Sequence, residues 1–223
     1  SWAGGGILSP LCPWDYSDDV TRLTSYSAQQ FPAWISALHK ASGIDPEYEI
    51  SGMLILPPYN AKTAKQWCSK REIKIEQRRI LGTPSSGNNV EIHTRKTFDC
   101  ALFLPNIAQV RNPRLLRALL HRVAQLGGKI IEDCAVNSLK TAHKQIKSIS
   151  SSCGEFIADY TIVSAGAWSK EILGVHALKL AIKPMRGQML LFKFDAPPVH
   201  TILVQNDLYM IPRRDGHLLI GST

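Results

Sequence analysis

An α+β fold, built on a mixed and largely antiparallel sheet with flanking helices, is the class the sequence predicts. Three observations carry that reading. Two long stretches repeat apolar residues with helical period, at about 18–41 and 113–126. From about residue 129 onward, short β-rich runs follow one another with only turn residues between them. Near the end, Asp215-Gly216 sits between two such runs, the signature of a hairpin.

The elements follow in order. After the glycine-rich opening and Pro10 and Pro13, a helix is expected from Asp18 to Ala41. Asp18 and Asp19 suit its first turn, and Gly43 suits the position past its end. Val20, Leu23, Phe31, Trp34, Ile35 and Leu38 form its apolar stripe, with a break expected near Pro32. Ile50 to Leu56 reads as a buried strand ending at Pro57-Pro58, residues 60–71 as a helix, and Ile73 with Ile75 as the start of an extended segment. Gly82 to Asn89 reads as a loop and Ala101 to Leu104 as another buried strand. Asn112 is the expected cap of a helix with Pro113 in its first position, because proline lacks the N–H that would be orphaned there. Leu115, Leu116, Leu119, Leu120, Val123 and Leu126 make its stripe, and Gly127-Gly128 ends it. Strands are expected at about 129–136, 143–150, 155–163, 185–194, 200–205, 207–213 and 217–222, with a helical turn near 168–173.

Composition narrows the classes. With 44% hydrophobic and 20% charged residues, the 223-residue chain is ordinary for a globular protein of one large or two small domains. No apolar run approaches the roughly 18 residues of a membrane span. The five cysteines (Cys12, Cys68, Cys100, Cys134, Cys153) are scattered and never in C-x-x-C spacing, which reads as free thiols in a reducing cytoplasm. None of the seven histidines pairs at metal-ligand spacing, so no metal is expected. The net charge of +8 is uneven. Residues 1–60 hold six acids and two bases, and the remainder twelve acids and twenty-four bases, hence −4 and +12. The densest basic run is Lys62, Lys65, Lys70, Arg71, Lys74, Arg78 and Arg79. A nucleic-acid surface would interleave aromatic rings with that charge, and only Trp67 is there. Solvated lysines opposite an Ala61/Ala64/Trp67 face explain the run, and no nucleic-acid partner is expected.

Four blocks stand out: Ser1 to Pro10, opening Ser-Trp-Ala-Gly-Gly-Gly; Gln109 to Pro113 opening a helix; Thr161 to Ser169 as Thr-Ile-Val-Ser-Ala-Gly-Ala-Trp-Ser; and Pro184 to Met189 with Leu208 to Arg213 beyond it. In this order and spacing the chain resembles the FAD-dependent D-amino-acid oxidase superfamily, and within it the bacterial glycine oxidases of thiamine biosynthesis. The resemblance covers nearly the whole chain. It implies FAD as cofactor, part of a discontinuous FAD-binding domain in residues 1–12 and 111–172, and a substrate-binding domain in residues 13–110 and 173–223. It also implies that the family's G-x-G-x-x-G loop precedes residue 1 and its carboxylate-binding arginine follows Thr223. Residues 1–223 alone are therefore expected to be a catalytically silent fragment, with bare apolar surface that favours homo-oligomers.

By the same resemblance, Ser1, Gly5, Gly6 and Ile7 run beside the flavin, where glycine lets backbone approach a ligand. A loose chain terminus is the alternative reading. Val136 matches the position whose backbone pairs with adenine, or is a plain strand valine. Gly166 matches a close backbone approach near the adenosine half, or ends a strand with Trp168 as core. Tyr209 matches the tyrosine that gives its hydroxyl to the substrate carboxylate, and its alternation with Leu208 and Met210 puts it on one face with Ile211. A cross-strand packing tyrosine is the alternative. Arg186, Arg213 and Arg214 read as structural or solvent-exposed.

The implied reaction is oxidative deamination of a small amino acid, glycine first, with hydride passing to the flavin, imine hydrolysing to glyoxylate and ammonia, and oxygen yielding hydrogen peroxide. The cofactor carries that chemistry, which fits the lack of paired carboxylates or a nucleophile–base dyad. Sister activities on sarcosine, proline or D-amino acids, as oxidase or dehydrogenase, stay open. So does a non-enzymatic basic binding module, since fold alone does not establish catalysis.

Overall fold

The computed structural model describes residues 4–80, 98–143, 145–177 and 180–222. Ser1 and the expected loop Gly82 to Asn89 lie outside the described residues. In chain order the elements are α1 (Asp18–Ser42), β1 (Glu49–Ile50), β2 (Met53–Ile55), α2 (Ala61–Lys70), β3 (Glu76–Ile80), β4 (Phe98–Leu104), β5 (Ala108–Gln109) and α3 (Asn112–Gln125). They continue with β6 (Val136–Ala142), β7 (Gln145–Ser151), β8 (Gly154–Phe156), α4 (Ser169–Leu173), β9 (Gln188–Lys193), β10 (Ile202–Gln205), β11 (Leu208–Pro212) and β12 (His217–Ser222). The α+β class holds. The chain divides into two compact units, one formed by residues 1–127 and 187–223, the other by 128–186.

The first unit is organised by a seven-stranded sheet in the order β3-β4-β2-β10-β11-β12-β9, antiparallel throughout except where β2 runs parallel to β10. The strands at 188–193 and 208–222 thus share one sheet with 53–55, as the sequence predicts. Alternation sorts the two faces. Met53, Ile55, Leu102, Leu104, Ile202, Val204 and Ile211 pack on one side with Ala64 and Cys68 of α2 and with Trp14. Leu54, Leu56, Ala101, Phe103 and Leu203 pack on the other. The basic run is partly paired within the fold: Arg71 stacks on Trp67 and bonds Asp18, and Arg78 lies over Phe103.

Helix α1 meets α3 through Ile35, Leu38 and Ala118, with Val110 beneath them. Ser17 caps α1 through its side chain, and Gly43 closes it in the left-handed conformation. The helix runs unbroken through Pro32, contrary to the expected break: the proline withholds one N–H, and the helical ladder continues on either side of it. The stripe is shorter than expected. Ile35 and Leu38 are buried, whereas Leu23 is 69% exposed and Val20 and Trp34 are also open, because α3 packs only on the second half of α1. Arg111, not Asn112, occupies the cap position of α3, and the Asn112 side chain reaches away to the Gly4 carbonyl. The expected strand 50–56 is interrupted at Gly52, whose positive φ and close approach to the Phe103 ring turn the chain between β1 and β2.

The second unit is a meander of β6, β7 and β8 with α4 against β6. Two expected strands are cut back here. Of the expected strand 129–136 only Val136 lies in β6, which runs on to Ala142 instead, and 157–163 lie in no strand after β8. Their isoleucines show why: Ile157 and Ile162 are 82% and 88% exposed, and a β-rich run without a neighbouring strand among the described residues forms no ladder. The hairpin loop at the chain's end has three residues rather than two. Arg213 N–H donates to the His217 carbonyl and Gly216 N–H to the Arg213 carbonyl, with Gly216 at φ 83°, the geometry of a type I turn closed by a left-handed residue.

Pro32 removes one intrahelical bond in α1 at an exposed site. Pro32→Ala is expected to raise stability by up to about 3 kcal/mol, read as a higher urea midpoint at unchanged slope. A lower midpoint would show that the proline is built into the packing.

Candidate functional site

The Gly4–Gly6 segment is fastened to the sheet's end through its carbonyls. Gly4 O accepts from Asn112 Nδ2 at 2.7 Å, Gly5 O from Arg213 Nη2 at 2.7 Å, and Gly6 O from Val110 N–H at 2.9 Å. Ile7 then bridges Gln109. A planar trans peptide points each carbonyl opposite to the next residue's N–H. The amides of Gly5, Gly6 and Ile7 are therefore turned away from their anchors, and none donates to another group among the described residues.

The glycines serve the protein's own packing as well. A Cβ on Gly5 would stand 2.7 Å from Ile211 Cδ1 and 3.0 Å from Tyr209 Cε2, and one on Gly6 would overlap the Val110 carbonyl oxygen at a φ of +78°. Directly across from Tyr209 is Gly221, and the tyrosine ring covers that glycine. Tyr209 is thus sandwiched between two Cβ-less residues. It shares the Ile211 face and packs against the cluster containing Met53, while Met210 packs on the opposite face. Burial pushes the Tyr209 hydroxyl up from its ordinary pKa, so it is a neutral donor at physiological pH.

Beside this stack opens a cleft of about 570 Å³. Tyr209, Met189, Leu191 and Leu219 give it an apolar wall, Gly4 stands at its rim, and Arg111 and Arg213 supply cationic donors. Nothing in the sequence marked Leu191 or Leu219 as cleft residues, or Gly221 as the partner of Tyr209. Their contribution depends on β9 and β11 both pairing with β12.

Arg213 is the buried member. It is 6% exposed and donates to Gln109 Oε1 at 2.8 Å, Val110 O at 3.1 Å and Gly5 O at 2.7 Å. Burial first, then the neighbouring Arg111 charge, lower its pKa to about 10, which still leaves it charged. Arg111 joins Glu47 at 3.1 Å and Asp215 at 2.8 Å, and Arg114 also reaches Glu47. Burial works against the Asp215 carboxylate, but hydrogen bonds from Arg111 and His217 outweigh it and hold Asp215 well below the usual range. Arg214 pairs with Glu49 at the surface. The structural reading of Arg213 and Arg214 agrees with these contacts.

Of the expected site residues, Gly5, Gly6, Ile7 and Tyr209 come together in the first unit. Val136 and Gly166 are in the second. Val136 opens β6 opposite Ser151, and Gly166 begins a short 3₁₀ turn at φ 57° with open space where a Cβ would stand. Trp168 is exposed, not core. No group of three or more metal-binding side chains occurs among the described residues, and no described helix is long and apolar enough to cross a membrane.

Sequence comparison places this fold in a class of oxidoreductases: the chain belongs to the FAD dependent oxidoreductase family, whose pattern it matches over residues 1–223. It is 36% identical over 229 residues to a glycine oxidase of Pseudomonas aeruginosa and 34% identical over 225 residues to one of Pseudomonas putida, each comparison covering all of this chain and 60% of the relative. A bifunctional protein ThiO/ThiG of Synechocystis is 27% identical over 232 residues, covering all of this chain and 32% of that protein. Among solved structures, glycine oxidase from Geobacillus kaustophilus superposes with a TM-score of 0.83 at 21% identity, over all of this chain and 60% of that one. The chain thus spans about 60% of the length of the glycine oxidases it matches.

Two outcomes follow. Arg213→Met should cost about 3 kcal/mol, because it leaves three acceptors without a donor, read as a lowered denaturant midpoint. A loss under about 0.5 kcal/mol, the level of an ordinary surface change, would refute the clamp. Asp215, with its folded pKa depressed, stabilises the fold fully above its unfolded value near about pH 4 and loses that contribution as pH falls. Asp215→Asn should be less stable than the parent at pH 7, with the gap starting to narrow only below about pH 4; a gap independent of pH through the acid range would count against the carboxylate.

Proposed function

We propose that the protein containing this chain is an FAD-dependent oxidase that deaminates glycine to imine and then glyoxylate, releasing ammonia and hydrogen peroxide, with the imine feeding thiamine biosynthesis. The observation that carries the reading is the cleft beside Tyr209, rimmed by the anchored glycine segment, in a chain 36% identical to a glycine oxidase.

The residues fit the cofactor. An apolar wall, outward-facing amides and two guanidinium groups suit a flat ring system with a carbonyl-rich edge. Gly5, Gly6 and Ile7 would lie along that ring, the family resemblance alone gives Ser1 the same role, and Val136 and Gly166 would meet the adenosine half. When bound, FAD supplies the two-electron acceptor for the hydride of the substrate's α-carbon. The chain's own part is to place and shield that carbon. Tyr209 is held rigidly between Gly5 and Gly221, so its hydroxyl can donate to a carboxylate at little entropic cost. Leu191, Leu219 and Met189 exclude water from one side.

In this reading residues 1–12 and 111–172 serve the cofactor and 13–110 and 173–223 the substrate, a functional division that crosses the compact units. We place the enzyme in the cytoplasm, in keeping with five free cysteines, and expect it to self-associate through surfaces where Leu23, Tyr26 and Leu126 are exposed.

The test is the complete protein supplied with FAD. Glycine-dependent peroxide and ammonia release supports the reading; turnover of sarcosine, proline or D-amino acids with none on glycine would assign a sister activity; and salt-dependent nucleic-acid retention without a flavin band would favour a basic binding module. Tyr209→Phe should raise KM for glycine about tenfold with kcat little changed, since a hydrogen bond to a charged group is lost from ground and transition states alike. An unchanged KM would remove Tyr209 from the site.

A further inference from the structure

The second unit holds a pair of thiols that the proposed chemistry does not use. β6 and β7 are in register at Val136 and Ser151. One step further, Ser152 N–H donates to the Ala135 carbonyl at 2.8 Å, while Ala135 N–H donates to Ser152 Oγ at 2.9 Å. Ser152 and Cys153 form the two-residue turn that joins β7 to β8, and these bonds carry the turn up against the segment that enters β6. Cys153 Sγ there lies 4.0 Å from the carbonyl oxygen of Asp133, the residue before Cys134.

The side chains agree with the register. Cys134 Sγ lies 3.3 Å from Ser151 Oγ, and the same hydroxyl oxygen accepts from Cys153 N–H at 3.1 Å. Cys134 is half-buried and Cys153 is exposed, so small oxidants reach both, whereas Cys68 is enclosed in the core. The neighbouring Cys153 thiol first, and then the Ser151 hydroxyl, pull Cys134 below the ordinary thiol pKa, and the Cys134 thiol pushes Cys153 up. One sulfur is thereby favoured as the thiolate and the other as its proton-bearing partner.

We infer that Cys134 and Cys153 form a reversible peroxide-responsive pair, with Cys134 the attacking and Cys153 the resolving sulfur. The Cys134 thiolate attacks one oxygen of a hydroperoxide; the O–O bond breaks, the S–O bond of a sulfenic acid forms, and the departing hydroxide takes up a proton as water. The Cys153 sulfur then attacks Cys134; the S–O bond breaks, the S–S bond forms, and the second hydroxide leaves as water with the Cys153 proton. Two thiols and hydrogen peroxide thus give one disulfide and two waters. The disulfide would pin the segment that enters β6 to the turn between β7 and β8. The pair stands on its own geometry. Only its physiological meaning, a response to the enzyme's own product, rests on the oxidase reading.

The experiment treats the purified protein with hydrogen peroxide in the absence of glycine, so that it reads the thiols whether or not the oxidase assignment holds. Non-reducing peptide mass spectrometry should show a peptide pair joining Cys134 to Cys153, lighter by two hydrogen atoms and released by dithiothreitol. Iodoacetamide labelling of both residues should be lost together, before that of Cys12 or Cys100. Cys153→Ser should leave Cys134 as a dimedone-trapped sulfenic acid, and Cys134→Ser should leave Cys153 no more reactive than Cys12. Independent oxidation of the two residues, or peroxide reactivity equal to that of the other cysteines, would overturn the proposal.

Discussion

The buried guanidinium of Arg213 ties together three parts of the chain that are far apart in sequence: the carbonyl of Gly5, the Gln109–Val110 segment ahead of α3, and the end of β11. Desolvating a guanidinium is unfavourable, and only a full set of acceptors offsets it. Here the acceptors are neutral carbonyls and an amide, while Glu47 and Asp215 balance the charge from beyond Arg111. With this group in place, the glycine segment has one position on the sheet. Without it, the segment would be held mainly through Asn112 and Val110.

That position sets the state of Tyr209. Its ring lies against Gly5 on the segment and Gly221 on the neighbouring strand, and neither residue has a Cβ to displace it. Glycine in this opening was read as a means of bringing backbone to a ligand. The geometry shows a second use: at Gly5 and Gly6 the missing Cβ makes room for Tyr209, Ile211 and the Val110 carbonyl. The two uses are compatible, since close packing on one side is what orients the amides away from it.

The helices, the hairpin and the pairing of the late strands were legible because each is written in local terms. Gly43 at the end of α1, Pro113 in the first turn of α3 and Asp215-Gly216 at the turn are examples. What escaped depends on neighbours. Leu23 and Trp34 repeat at helical spacing as faithfully as Ile35 and Leu38, but α3 covers only the latter pair. Ile157 and Ile162 have strand propensity and no strand beside them. Tyr209 could be singled out from its alternation and its family position, whereas Gly221 is meaningful only once β11 and β12 are aligned, five residue pairs deep. The Cys134–Cys153 pairing is hidden for the same reason: nineteen positions of separation become adjacency only through the register of Val136 with Ser151.

The cleft inherits a constraint from its place in the sheet. Gln188, Met189, Leu190 and Leu191 all come from β9, the end strand, which is hydrogen-bonded on one side to β12 and to no strand on the other among the described residues. An end strand is held by half the usual ladder and is the member of a sheet whose twist adjusts most readily. The opposite wall, Tyr209 on β11, is held on both sides, by β10 and β12. The cleft therefore pairs one stiff wall, which carries the polar hydroxyl, with one compliant wall, which is apolar. Orientation of a ligand's charged end belongs to the stiff wall and accommodation of its bulk to the compliant one. By this division, Met189 and Leu191 can yield to the shape of a ligand and Tyr209 cannot.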